Sequence, residues 1–146
     1  MKLRAIIAAT ATAAALSTGP LVPLANASSR HVTRTLTFTS VQVATVKFSQ
    51  TTGASEDKDV NKAGKVIGYD VIRFSFNAKT NTAALDLTVA LSNGFLYSAL
   101  SQSDSPVIHG RLTGGTGAFR GASGTITAKP VGSDGTKTTV TITYRT

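Results

Sequence analysis

From Leu112 the chain reads Leu112-Thr-Gly-Gly-Thr-Gly-Ala-Phe-Arg-Gly-Ala-Ser-Gly-Thr-Ile-Thr-Ala128, with glycine at four of the eight positions from Gly114 to Gly121. Glycine is used where the backbone needs positive φ or where another chain passes close, so Gly114, Gly115 and Gly117 specify a sharp reversal between two β-like segments. Phe119 is the first large side chain offered to a core after the reversal. Gly121 and Gly124 then interrupt a run of small residues, as expected where a strand bends or bulges to close a curved sheet. The same glycines do not make a nucleotide site. A dinucleotide fingerprint or a P-loop needs a helix straight after the glycines, whereas Thr125-Ile-Thr-Ala128 alternates as a strand, and no Gly-Lys-Ser or Gly-Lys-Thr follows.

The glycine run also carries a resemblance. It is similar to the Gly-Gly-Thr-Gly-x-Phe-Arg-x-Ala-x-Gly signature of dirigent proteins and related allene oxide cyclase-like barrels, and Gly64-Lys-Val-Ile-Gly68-Tyr-Asp70 resembles a segment that opens an early strand in that superfamily. Together the two matches would cover residues 31–146. The resemblance implies an eight-stranded antiparallel barrel with a cavity for a small apolar molecule, often in a dimer or trimer. It also implies acidic residues and an arginine inside the barrel that deprotonate or hold a reactive intermediate. The position of the arginine that precedes the signature in the plant proteins falls near Ile108 here, not on Arg111.

The N-terminus reads as a secretory signal peptide over residues 1–27. Met1-Lys-Leu-Arg4 is basic, Ala5 to Leu16 is apolar but too short to span a bilayer, and Ala25-Asn26-Ala27 supplies a small-x-small cleavage site. The expectation is a secreted protein, without membrane insertion, whose residues 28–146 form one domain with a single core. Loss of Lys2 and Arg4 from the 15 basic residues leaves 13 against 7 acidic ones, a net charge of +6. These basic residues are spread singly apart from a cluster at 58–65 that lacks stacking aromatics, so no nucleic-acid partner is expected. With no cysteine, an exported chain must be held by packing, and a closed barrel suits that constraint because it removes exposed sheet edges.

Along the mature chain, Val32–Ser49 is Val-, Thr- and Phe-rich and reads as one long or bulged strand, or two. Gln50–Ala63 is polar and reads as a connection. In Lys65–Asn77, Val66, Asp70, Ile72, Phe74 and Phe76 form one row and Ile67, Tyr69, Val71 and Arg73 the other. Both rows are largely apolar, so the outer face is expected to be covered by the N-terminal segment or another subunit. Lys79–Thr82 is a turn, and Leu85, Leu87, Val89 and Leu91 alternate cleanly. Asn93-Gly94 suits a type I′ hairpin turn back into Phe95–Leu100. Val107–Thr113, Ala118–Lys129 and Thr138–Arg145 complete seven or eight strands and no helix. The fold class is all-β; the strand spacing leaves a two-sheet sandwich beside a barrel, and the resemblance implies the single antiparallel closed barrel of seven to eight strands.

Chemistry-bearing constellations are few. Asp57-Lys-Asp59-Val-Asn61 mimics the opening of a calcium loop, but Lys62 and Gly68 stand where Gly and a bidentate Glu are needed. His31 and His109, with no cysteine, lack metal-ligand spacing, so neither metal nor cofactor is expected. No Gly-x-Ser-x-Gly elbow is present. Asp70 stands in an apolar strand row that would raise its pKa, and is the candidate catalytic acid or base; pairing with an arginine or a backbone amide is the alternative. Tyr97, His109 and Arg111 interrupt strand patterns and are candidate ligand-binding groups, while Asp86 reads as surface. Three roles stay open: stereocontrol of a cyclisation or coupling, a carrier without turnover, and a structural interaction module. In the first two the partner is a small apolar ligand held by a homo-oligomer, a dimer or trimer.

Overall fold

Alternating branched, aromatic and small residues build strands wherever neighbours complete their hydrogen-bond ladders. The computed structural model, which describes residues 32–146, consists almost wholly of such strands. They are β1 (Arg34–Lys47), β2 (Thr52–Val60), β3 (Val66–Asn77), β4 (Thr82–Leu91), β5 (Gly94–Gln102), β6 (Ile108–Gly115), β7 (Ser123–Pro130) and β8 (Lys137–Arg145). Each pairs antiparallel with the next, and β8 returns to pair with β1 over Arg34–Val41, which closes an eight-stranded barrel. The assigned signal peptide, residues 1–27, lies outside the described residues.

Two ends follow from this up-and-down course. One carries the start of β1, the finish of β8, the β2–β3 and β4–β5 turns and the β6–β7 connection; the other carries the loops after β1, β3, β5 and β7. The first end is stoppered. Phe119, held in a short 3-10 turn at Gly117–Phe119, is buried in the core and meets Tyr144 edge-on at a centroid distance of 5.7 Å. It belongs to one core with Leu96, Leu112, Ile126, Val140 and Ile142, each contributing about 1.5 to 3 kcal/mol through burial.

Four local expectations are corrected. Gln50–Ala63 is not a connection: Thr52–Val60 is a central strand paired with β1 and β3. Its composition reads as loop because its inward row is itself polar, and the backbone pairing on both sides holds it in place. The reversal at Gly114–Gly117 is not tight. Gly114 and Gly115 still belong to β6 and pair with Tyr97 and Leu96, and the turn proper spans residues 116–122. It contains the 3-10 turn, where no helix of any kind was expected. Finally, Leu91 pairs with Gly94, so the loop residues of that hairpin are Ser92 and Asn93. Neither has positive φ, since Asn81 (φ 50) is the only such non-glycine residue described, and a type I′ turn is therefore ruled out.

Candidate functional site

The barrel interior has two kinds of wall. From β4 round to β8 the inward row is apolar apart from Ser98, with Leu87, Val89, Leu96, Leu100, Leu112, Ile126, Val140 and Ile142. From β1 to β3 it is polar: Ser40 on β1, Ser55, Asp57 and Asp59 on β2, and Asp70 on β3 are all buried. Register explains the grouping. Asp57 lies directly opposite Asp70 across the β2–β3 pair, and Asp59 opposes Ser40 across β1–β2, so alternation sends all of them to the same side of the sheet.

Among the described residues the Ser40 hydroxyl donates to Asp57 Oδ2 at 2.6 Å. A serine has a single proton to give; here it goes to Asp57, and Asp70 is the other carboxyl within its reach. Asp57 Oδ1 and both carboxyl oxygens of Asp59 and Asp70 have no partner among the described residues. Asp59 and Asp70 do lie within hydrogen-bonding reach of each other, a contact two carboxyls can make only when one is protonated.

Burial, first of all, pushes Asp59 up to about 9, with the hydrogen bond to Asp70 and the nearby Asp70 and Asp57 carboxyls adding to it. Burial also pushes Asp70 up, to about 6; the Asp59 hydrogen bond opposes that rise, the Asp57 carboxyl adds to it, and Ser40 opposes it. The two groups share protons and titrate as a pair. Around neutral pH such a pair holds one proton that can pass between its members.

Asp70 faces a cavity of about 50 Å³. Ser40 and Thr138 are the other polar residues at its edge, and Leu85, Leu87, Leu100 and Ile108 form its apolar side. These strand positions put the cavity away from the Phe119 stopper, towards the end that carries the β1–β2 and β5–β6 loops. Among the described residues, no three His, Cys, Asp or Glu side chains converge as metal ligands.

Of the sequence-derived candidates, only Asp70 faces this interior. Tyr97, His109 and Arg111 are exposed on the outer surface, Tyr97 between inward Leu96 and Ser98, and Arg111 beside inward Leu112. They do not converge on Asp70, which corrects their assignment to the pocket: in a closed barrel a polar residue out of phase with an apolar row points to solvent. The arginine that the family resemblance implies inside the barrel is not there either, for every described arginine is exposed. Asp57, Asp59, Ser40 and Ser55 were missed. Their signal was present in Thr52–Val60, where Gly53, Ser55, Asp57 and Asp59 alternate with Ala54, Glu56 and Lys58 as one small or acidic row against a longer-chained one.

With eight sequential antiparallel strands, a stoppered end and an acid-lined interior described, comparison with solved structures is decisive for the fold. The chain matches a pterocarpan synthase dirigent protein with a TM-score of 0.71 at 20% identity, over 90% of this chain and 98% of that one. The fold is that of the dirigent-like barrels. An exo-specific intermolecular Diels-Alderase matches with a TM-score of 0.63 at 10% identity, over 79% of this chain and 99% of that one. A pyocyanin demethylase matches with a TM-score of 0.62 at 19% identity, over 76% of this chain and 99% of that one. No protein-family model and no curated protein matches the sequence. In this dirigent-like barrel β3, which carries Gly68 and Asp70, forms the edge of the acidic wall.

Proposed function

We propose that this dirigent-like barrel is exported, admits a small and mainly apolar molecule to its interior, and steers a stereoselective cyclisation with Asp70 as the acid or base. The observation that carries the reading is the Asp70 carboxyl: buried, neighboured by a protonated Asp59 and no basic side chain among the described residues, and turned towards an apolar cavity. A carboxyl raised to about 6 is poised to take a proton and to return one near neutral pH. In an isomerising cyclisation the Asp70 carboxylate takes a proton from one substrate atom and gives it back at another, so no oxidant or reductant is consumed. The apolar wall supplies shape, which holds one reactive conformer. The pterocarpan synthase and Diels-Alderase among its structural neighbours support cyclisation as the class of chemistry.

A cavity of about 50 Å³ is smaller than the roughly 300 Å³ or more that organic ligands usually occupy, so binding requires the wall to part at the end opposite Phe119. That small volume favours a second reading, a carrier that widens only to load and release. Mass spectrometry of small molecules that co-purify with protein from the culture medium, followed by incubation with fresh protein, separates the two. Conversion of a bound compound to an isomer of equal mass, lost in Asp70→Asn while binding is retained, supports the cyclase. Equal binding with no conversion by either protein supports the carrier. The absence of any retained organic compound overturns both. Export is tested in the same material by intact mass: cleavage before Ser28 is expected, and a dominant species retaining Met1 overturns it.

A further inference from the structure

The charge of this protein is turned inside out. Every described lysine and arginine is exposed, as is His109, whereas three of its seven acidic residues, Asp57, Asp59 and Asp70, are buried side by side in the barrel. Buried charge is ordinarily paired, because desolvation without a partner costs far more than folding can supply. Here no described residue supplies that partner. Five carboxyl oxygens are left without one, and a single proton held between Asp59 and Asp70 answers for only one contact.

Those oxygens define what can sit beside them. They accept hydrogen bonds, so a ligand that brings only acceptors, such as a carboxylate or a phosphate, would be repelled. A ligand that brings N–H donors and a positive charge would answer both deficits at once. The opposite side of the cavity is Leu85, Leu87, Leu100 and Ile108, which asks for an aliphatic body.

We propose that the cavity recognises an organic cation, its alkylammonium head on the Asp70 carboxyl, which Asp59 backs from the side away from the cavity, and its apolar body against the leucine wall. The inference rests on the small-molecule reading of the cavity given above and names the chemical class of the ligand. Because no three of the acidic side chains converge as metal ligands, an ammonium group, which needs no fixed coordination sphere, suits the site better than a metal ion. Burial raises both carboxyls of the Asp59 and Asp70 pair, which is the same preference for positive charge. An ammonium head competes with that proton, so binding should tighten as the pair ionises. The titratable groups facing Asp70 are Asp57 and Asp59 on β2; β1 faces it with Ser40, and β4 with Leu87 and Val89.

The test uses three probes that share one branched carbon skeleton: isobutylamine, isobutanol and isobutyrate, titrated into the mature protein and followed by amide NMR shifts. Isobutylamine is expected to bind about tenfold more tightly than isobutanol, equivalent to about 1.4 kcal/mol, and isobutyrate not to bind. Its affinity should rise between about pH 5 and pH 8, where an alkylammonium remains protonated. In Asp70→Asn and in Asp59→Asn, each checked for a cooperative melt, the preference should fall to within about twofold. Isobutanol binding as tightly as isobutylamine would overturn the cation while leaving the apolar pocket standing. Binding of isobutyrate, or an amine preference that survives in both variants, would overturn it as well. No binding by any probe overturns the inference, and if no organic compound co-purifies either, the pocket reading falls with it.

Discussion

Asp59 is fully buried, and neither of its oxygens meets a donor unless the Asp59 and Asp70 pair is protonated. The folded state therefore binds a proton more tightly than the unfolded chain does, from a usual carboxyl value of 3.8 up to about 9 for Asp59 and about 6 for Asp70. Where the folded state holds more protons, stability falls as pH rises. Both groups impose no penalty below about pH 4; the penalty from Asp70 grows to about pH 6, and that from Asp59 continues to about pH 9. We predict a melting temperature that declines from pH 5 to pH 8.5, and an Asp59→Asn variant that is more stable than the parent at pH 8.5 by at least about 2 kcal/mol, given about 1.4 kcal/mol per pKa unit. A parent protein equally stable at the two pH values would refute the assignment. Asp70 could be read from sequence because it stands among Ile72, Phe74 and Phe76, an apolar row whose period gives the facing. Asp57 and Asp59 could not be read the same way. Polar residues on both faces of Thr52–Val60 mask its small-against-long alternation, which gains its meaning only once β1 and β3 are seen to flank it.

Among the elements, two glycine signals that look independent in sequence turn out to be one contact. Asn93-Gly94 and Thr116-Gly117 stack at the stoppered end: Phe95 N–H donates to Thr116 Oγ1 at 3.1 Å, Thr116 N–H to the Phe95 carbonyl at 2.9 Å, and Ala118 N–H to the Asn93 carbonyl at 2.9 Å. A Cβ on Gly117 would sit 2.3 Å from the Asn93 carbonyl oxygen, and its φ is +58°, so both space and conformation forbid a side chain. Gly121, at φ +75°, has the same conformational need but open space around it. Gly121→Ala should therefore cost about 1 to 2 kcal/mol, the left-handed penalty alone, and Gly117→Ala distinctly more. Denaturant unfolding of both variants measures the difference, and equal losses would show that the stacking of the two turns carries no stability. The strand content, the long bulged β1 and the β4–β5 hairpin were legible from period-two patterning. The stacked turns were not, because no local signal couples residues more than twenty positions apart.

At the scale of the whole molecule, the outer surface poses the question that remains after the interior is accounted for. Tyr69 and Val71 on β3 flank Ala90 and Thr88 on β4, which in turn flank Phe95 and Tyr97 on β5, so one continuous outward face crosses three strands. Its four large side chains are 53%, 47%, 45% and 37% exposed in that order. Closure of the barrel removed every free edge among the described strands, so ladder extension cannot be the route by which copies associate. Face-to-face packing of this patch can, and contiguous exposed aromatic surface rimmed by charged residues is what interfaces bury. Tyr97 thus moves from a pocket candidate to a residue of that face. We predict that the mature protein self-associates through it, and that the double substitution Val71→Asp and Tyr97→Asp yields a monomer with the parent's melting behaviour, since neither side chain contributes to the core. Sedimentation velocity over a hundredfold concentration range is the measurement. A parent that stays monomeric at the highest concentration would leave the face without a partner of its own kind, whereas a variant that still assembles would place the interface elsewhere on the barrel.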